Sequence, residues 1–215
     1  MHEYRIIADA SADIDALFCK ENQIPVLPMN YSLGEEMREC RKMEDAELLH
    51  RFYDAQKNGD LTKTTQINPF QYEELIEPYL KEGTSVLYLA LSSGLSSTVD
   101  SARIASASLK EKYPEQDFMV VDTLAATGGI GILAEHAVSN QKNGMTLEEN
   151  FDALREMVKK LRHWFLVDDL MYLKRGGRIG ASTAIAGTLL AVKPILKIDE
   201  EGKLVNFDKT RGVHA

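Results

Sequence analysis

The run Ser85-Val86-Leu87-Tyr88-Leu89-Ala90, continuing directly into Leu91-Ser92-Ser93-Gly94-Leu95-Ser96-Ser97-Thr98, constrains the fold more than any other part of the chain. The first six residues carry no charge and read as a strand covered on both faces. The residues after the corner place Val99, Ala102, Ala105 and Leu109 on one side of a helix. A strand buried on both faces that leads into an amphipathic helix calls for a layered α/β arrangement. Between the two lies a corner of hydroxyls and one glycine. Free backbone N–H groups and the positive end of a helix dipole meet there, so the corner can hold a phosphate or a carboxylate without a charged side chain.

The same alternation recurs through the first half. Tyr4 to Ala8, Pro25 to Leu33, Ser85 to Leu91 and Phe118 to Val121 read as strands. Asp45 to Lys57, Pro69 to Lys81, Thr98 to Tyr113 and Ala125 to Asn143 read as helices. Asn68-Pro69 supplies an N-cap and a proline at the first helical position, and Lys142-Asn143-Gly144 a helix stop. The expected class is α/β: a parallel, Rossmann-like sheet domain over residues 1–145, followed by an incomplete α+β second domain over residues 146–215.

The second part opens with Thr146-Leu147-Glu148-Glu149, a capping-box pattern ahead of a helix to about Leu161. His163 to Val167 is a strand candidate, and Leu170 to Leu173 precedes a turn at Lys174-Arg175-Gly176-Gly177-Arg178. Ser182 to Ala191 reads as a helix. Pro194 to Ile198 and Leu204 to Lys209 flank Glu200-Glu201-Gly202-Lys203 as a hairpin whose glycine supplies a positive φ. The chain stops just after this hairpin, with nothing left to cover the hairpin's other face, so a C-terminal truncation is expected.

Charge and cysteine content remove several function classes. A net charge of −8 disfavours nucleic acid and anionic membrane surfaces. Two cysteines, Cys19 and Cys40, are too few for a disulfide framework. No run approaches the roughly 20 apolar residues of a spanning helix, and the start lacks a signal-peptide pattern. A reduced, soluble, cytoplasmic protein without a transmembrane segment is expected.

Four polar segments fall near strand ends: Asp9-Ala10-Ser11-Ala12-Asp13, Lys63-Thr64-Thr65-Gln66, Ser92 to Thr98, and Asp122-Thr123. In open α/β sheets ligands bind beyond the carboxyl ends of strands. Each segment alone is explained by helix capping. Thr64, Thr65 and Gln66 exceed what a cap at Asn68 requires, however, and the Ser92 to Thr98 loop holds more hydroxyls than one helix start can use. Gly94-Leu95-Ser96-Ser97-Thr98 lacks the second glycine of a nucleophile elbow. Gly128-Gly129-Ile130-Gly131 lacks the Lys-Ser/Thr of a P-loop. That glycine run serves either tight packing of a helix or the lining of a slender ligand. No His, Cys and carboxylate cluster has metal spacing. Lys174, Arg175 and Arg178 form either a solvated loop or a contact for phosphate or an acidic partner.

Taken together, six segments resemble the DegV family of bacterial fatty-acid-binding proteins. They are Asp9 to Asp13, Lys63 to Gln66, Leu91 to Thr98, Val121-Asp122-Thr123, Phe165 to Leu170, and Leu173 to Ile179, in family order over nearly the whole chain. The resemblance implies a long-chain fatty acid lying between two domains. Its carboxylate would be held by Thr64 and Ser96, with Thr65, Ser93 and Ser97 near. It implies a carrier and not a catalyst, one that presents the carboxylate to a separate ATP-dependent fatty acid kinase through Lys174, Arg175 and Arg178. No cofactor is implied beyond the bound fatty acid. The alternative from the residues alone is an enzyme acting on a small phosphorylated or acylated substrate at the Ser96 anion site.

Overall fold

The computed structural model describes residues 4–40, 46–167, 170–179 and 192–211. Its centre is a parallel four-stranded sheet made of β1 (Tyr4–Asp9), β2 (Val26–Leu27), β6 (Ser85–Ala90) and β7 (Phe118–Asp122), in the order β2-β1-β6-β7. Side chains of successive strand residues point to opposite faces, and both faces are covered. On one face Ile6, Ala8, Leu87, Leu89 and Val121 pack under α1 (Ala16–Glu21), α5 (Gly128–Lys142) and α6 (Leu147–Val158). On the other, Ile7, Val86, Tyr88 and Ala90 pack under α3 (Pro69–Lys81) and α4 (Thr98–Lys112). Helix α3 buries Tyr72, Ile76 and Leu80 at four-residue spacing, each such side chain contributing about 1.5–3 kcal/mol. The expected α/β class with a parallel sheet is what forms.

Local signals place helix starts well. Asn68 and Gln71 form a reciprocal capping box at α3, as do Thr146 and Glu149 at α6. Helix α6 lies after the expected boundary at residue 145, and its Leu147, Leu154 and Val158 pack into the core of the parallel sheet. Helix α5 begins at Gly128 rather than Ala125, because Ser92 N–H donates to the Ala125 carbonyl and holds that segment outside the helix.

The expected single strand from Pro25 to Leu33 is in fact two. Pro28, which has no N–H to donate to a ladder, separates β2 from β3 (Met29–Leu33). Strand β3 leaves the parallel sheet and becomes the centre of a second, antiparallel one, between β4 (Glu36–Cys40) and β5 (Thr62–Thr65). The Lys63 to Gln66 segment is therefore not a loop at the end of a parallel strand. Lys63, Thr64 and Thr65 are strand residues paired with Ser32, Tyr31 and Asn30. Helix α2 (Ala46–Lys57) lies between β4 and β5 in the chain, and Phe52 meets Tyr31 edge-on at 5.4 Å between ring centroids.

A third sheet, β10-β9-β8, is antiparallel and consists of β8 (Trp164–Leu166), β9 (Val192–Ile198) and β10 (Leu204–Arg211). The expected hairpin is present as β9 and β10, with Gly202 at φ 74°. Helix α7 (Leu170–Arg175) extends two residues into the expected Lys174–Arg178 turn. The reversal falls on Gly176 and Gly177, the latter at φ 74°. The expected helix over 182–191 lies outside the described residues. Among the described residues no helix is long and apolar enough to cross a membrane.

Candidate functional site

The carboxyl ends of β1 and β6 converge on a buried acid. Asp9 is fully buried, and its carboxylate accepts four hydrogen bonds. One oxygen takes the Ser11 N–H at 2.8 Å and the Ser11 hydroxyl. The other takes the Tyr88 hydroxyl at 2.6 Å and the Leu91 N–H at 3.3 Å. With Tyr88 donating to Asp9, the single hydrogen of each hydroxyl orders the rest of the chain. Thr98 donates to Tyr72 at 2.7 Å, and Tyr72 donates to Tyr88 at 2.8 Å. Burial, together with the Asp9 charge beside it, pushes the Tyr88 phenol well above its ordinary 10.0. Burial likewise raises Tyr72. This network ties the ends of β1 and β6 to the starts of α3 and α4.

The hydroxyl corner after β6 is largely spoken for by the protein itself. The Ser92 hydroxyl donates to the Gly202 carbonyl at 2.8 Å and accepts from the Gly94 N–H at 3.1 Å. The Ser96 hydroxyl accepts from the Thr98 N–H at 3.3 Å, a local turn one residue ahead of Ser97, the N-cap of α4. Asp122 accepts from the N–H groups of Ser93 and Leu124 at 3.1 and 3.2 Å. The Thr123 hydroxyl donates to the Ala90 carbonyl at 2.7 Å.

Beside this corner lies a cavity of about 320 Å³. Met29, Tyr31, Phe52, Leu91, Leu95 and Leu204 form its apolar walls, with Ala10, Ser11, Asn30, Cys40, Thr64 and Arg178 completing the lining. Burial raises the Cys40 thiol above its usual value. All three sheets contribute a wall, since Met29 to Tyr31 come from β3, Leu91 follows β6, and Leu204 begins β10. Of the residues singled out in the sequence, the structure brings Thr64 and Arg178 together. Arg178 Nη2 lies 3.5 Å from Thr64 Oγ1. Thr65, Ser93, Ser96 and Ser97 are not among the lining residues, although Leu95 between them is. Thr65 donates to the Asn30 carbonyl at 3.4 Å. Lys174 and Arg175 are exposed, with the Arg175 guanidinium stacked 5.7 Å over the Tyr172 ring.

The cavity's walls were not legible in the sequence. Tyr31 and Phe52 carry no motif and sit on elements far apart in the chain, and Leu204 belongs to the hairpin. The glycine run at the start of α5 serves close packing. A Cβ on Gly131 would strike the Asp13 carbonyl, and one on Gly129 would strike the His163 ring. Among the described residues no three His, Cys, Asp or Glu side chains cluster as a metal site would require.

The family model DegV, described as an uncharacterised protein family, matches residues 3–215. The chain belongs to the DegV family. A DegV domain-containing protein of Clostridium perfringens is 39% identical over 213 residues, covering 99% of this chain and 72% of that protein. One from Lactococcus lactis is 38% identical over 212 residues, covering 97% of this chain and 72% of that protein. Among solved structures, DegV, a fatty acid binding protein from Bacillus subtilis, superposes with a TM-score of 0.83 at 30% identity over 99% of this chain and 74% of its own. A fatty-acid-binding DegV family protein from Thermus thermophilus gives 0.82 at 29% identity over 98% of this chain and 72% of that one. A stearic-acid-binding protein from Eubacterium ventriosum, at 24% identity, shares the fold of this DegV-family chain with a TM-score of 0.86 over 98% of this chain and 71% of that one.

Proposed function

We propose that this chain binds a long-chain fatty acid in the cavity between the β3 and β10 walls, with the carboxylate at the Thr64–Arg178 end. The observation that carries this reading is the cavity's two-part chemistry. Its walls are aromatic and aliphatic, and its polar end pairs a hydroxyl with a guanidinium. Its volume is at the lower end of the usual range for ligand sites, about 300–1,000 Å³. Each methylene taken from water into it contributes about 0.8 kcal/mol. The solved DegV relatives from Bacillus subtilis and Thermus thermophilus, described as fatty-acid binders, support the same ligand class.

Thr64 and Arg178 are both exposed. A carboxylate held there stays within reach of another protein, as a carrier for a separate, ATP-dependent fatty acid kinase requires. Lys174 and Arg175 extend the positive charge beside it and are the proposed contacts for that kinase. Ser93, Ser96 and Ser97 belong to the corner that carries Leu95, and Thr65 follows Thr64 on β5, so in this reading they contribute to the site through those two lining residues. In this reading the chain is a binding subunit acting in the cytoplasm, needs no cofactor and performs no chemistry of its own.

Mass spectrometry of the protein after denaturation tests the ligand class. Release of a stoichiometric fatty acid is the expected result, and failure to capture one after incubation with palmitate and oleate would sink the proposal. Incubation of the loaded protein with the kinase and ATP tests the second half, with acyl phosphate as the expected product.

A further inference from the structure

We infer that Ser92 is a positioning residue of the ligand cavity, acting through the tip of the β9–β10 hairpin. The inference rests on the fatty-acid reading above and names what controls entry to that site. Ser92 is fully buried, and its one hydrogen goes to the Gly202 carbonyl of the hairpin tip. The same oxygen accepts the Gly94 N–H. One hydroxyl thus joins the β6–α4 corner to a segment 110 residues away.

The fit around that hydroxyl leaves no slack. A Cβ on Gly94 would come within 2.5 Å of the Gly202 carbonyl carbon and oxygen and 2.6 Å of the Glu201 oxygen. A Cβ on Gly202 would strike the Ser92 hydroxyl and come within 3.0 Å of the Leu124 side chain. Leu124 itself holds φ 45°, a left-handed conformation that costs a branched residue of order 1–3 kcal/mol. Asp122 keeps it there through the Leu124 N–H.

The tip docks as a preformed body. Asp199 Oδ1 accepts from the N–H groups of Glu201 and Lys203 at 3.0 and 2.9 Å. Gly202 N–H returns to the Asp199 carbonyl at 3.0 Å. Two residues beyond Gly202, Leu204 enters the cavity wall facing Leu91 and Leu95, which flank the Ser92 corner. A rigid tip seated on Ser92 therefore places Leu204. When the tip lifts, the wall opens on the same side. Ligand entry and release pass through the breaking of the Ser92–Gly202 hydrogen bond.

The test is the dissociation rate of a fluorescent fatty acid from the full chain, read by stopped-flow displacement alongside thermal stability. Ser92→Ala and Gly94→Ala are each expected to speed release by about tenfold, the scale of one lost buried hydrogen bond. In a Leu204→Ala background, where the wall is already open, Ser92→Ala should add less than about twofold. Equal acceleration in both backgrounds, or no acceleration in either, overturns the inference. If the Ser92 and Gly94 variants do not fold, hydrogen exchange on the unaltered chain decides. The amides of 201–204 should exchange as one unit and slow when fatty acid binds, and exchange unchanged by ligand overturns the inference. A wild-type chain that takes up no fatty acid refutes the proposed function instead, which separates the two failures.

Discussion

Arg178 reaches Thr64 across 114 residues of chain, with its Nη2 3.5 Å from the threonine hydroxyl at the polar end of the apolar cavity. The guanidinium follows the Gly176-Gly177 reversal, and the hydroxyl sits on the edge strand β5. Neither residue's neighbours in sequence announce the other. Their meeting supplies a cation and a hydroxyl for a carboxylate. Arg178→Gln is expected to weaken fatty-acid binding by roughly three- to tenfold, a modest loss because both groups are exposed and water screens them. Affinity for the fatty alcohol of the same length should stay unchanged. Titration calorimetry with both ligands at two salt concentrations checks this, and equal losses for acid and alcohol would contradict the assignment.

Tyr88→Phe removes one of the four donors to the buried Asp9 carboxylate and leaves Tyr72 without its acceptor. The expected cost is about 1–3 kcal/mol of stability, visible as a lower denaturation midpoint in urea. The same network predicts an alkaline limit. The folded-state phenols of Tyr72 and Tyr88 are raised above the ordinary 10.0, so the unfolded chain loses those protons first. Stability contributed by the pair is intact below pH 10 and falls as pH rises beyond it. Tyr88→Phe should flatten that fall.

His163 gives the opposite, acid-side dependence. Its Nε2 is buried without a hydrogen-bond partner, its ring lies against Gly129 at the start of α5, and burial lowers its pKa below the ordinary 6.5. A depressed imidazole stays neutral in the folded state while the unfolded chain takes up a proton. Stability is therefore unaffected above pH 6.5 and declines as pH falls below it, levelling once the folded-state imidazole also protonates. His163→Leu should remove this component from the pH profile of thermal denaturation between neutral and mildly acidic pH.

The glycines of α5 separate helix propensity from packing. Gly128→Ala meets nothing within 4 Å and should be neutral or stabilise by up to about 1 kcal/mol. Gly131→Ala drives a methyl group against the Asp13 carbonyl, a backbone atom that cannot turn aside. A loss of about 1–3 kcal/mol is expected despite the better helix former. Chemical denaturation of the two variants side by side gives the contrast, and equal effects would remove the packing explanation.

The parts of the fold legible in the sequence are those decided within about ten residues. The strand from Ser85, the capping boxes at Asn68 and Thr146, and the Glu200–Lys203 turn form where the local pattern places them. The antiparallel sheet was not legible. Glu36–Cys40 and Thr62–Thr65 are short, polar and mostly exposed, so no alternation of apolar residues marks them. What makes them strands is the edge hydrogen bonding that β3 offers on both sides.

The sequence by itself determined that a parallel sheet would be buried on both faces and that hydroxyls would gather beyond its strands, because apolar runs and caps act locally. Only the tertiary structure decided what those hydroxyls serve. A hydroxyl's role is set by the group it shares a hydrogen bond with, as donor or as acceptor. For Ser92 that partner is Gly202, for Ser96 the partner group is the Thr98 amide, and for Thr64 it is Arg178 at the open end of the cavity. Two of those three pairings join segments more than a hundred residues apart. They exist because the hairpin and the Gly176-Gly177 reversal fold back over the sheet's carboxyl edge.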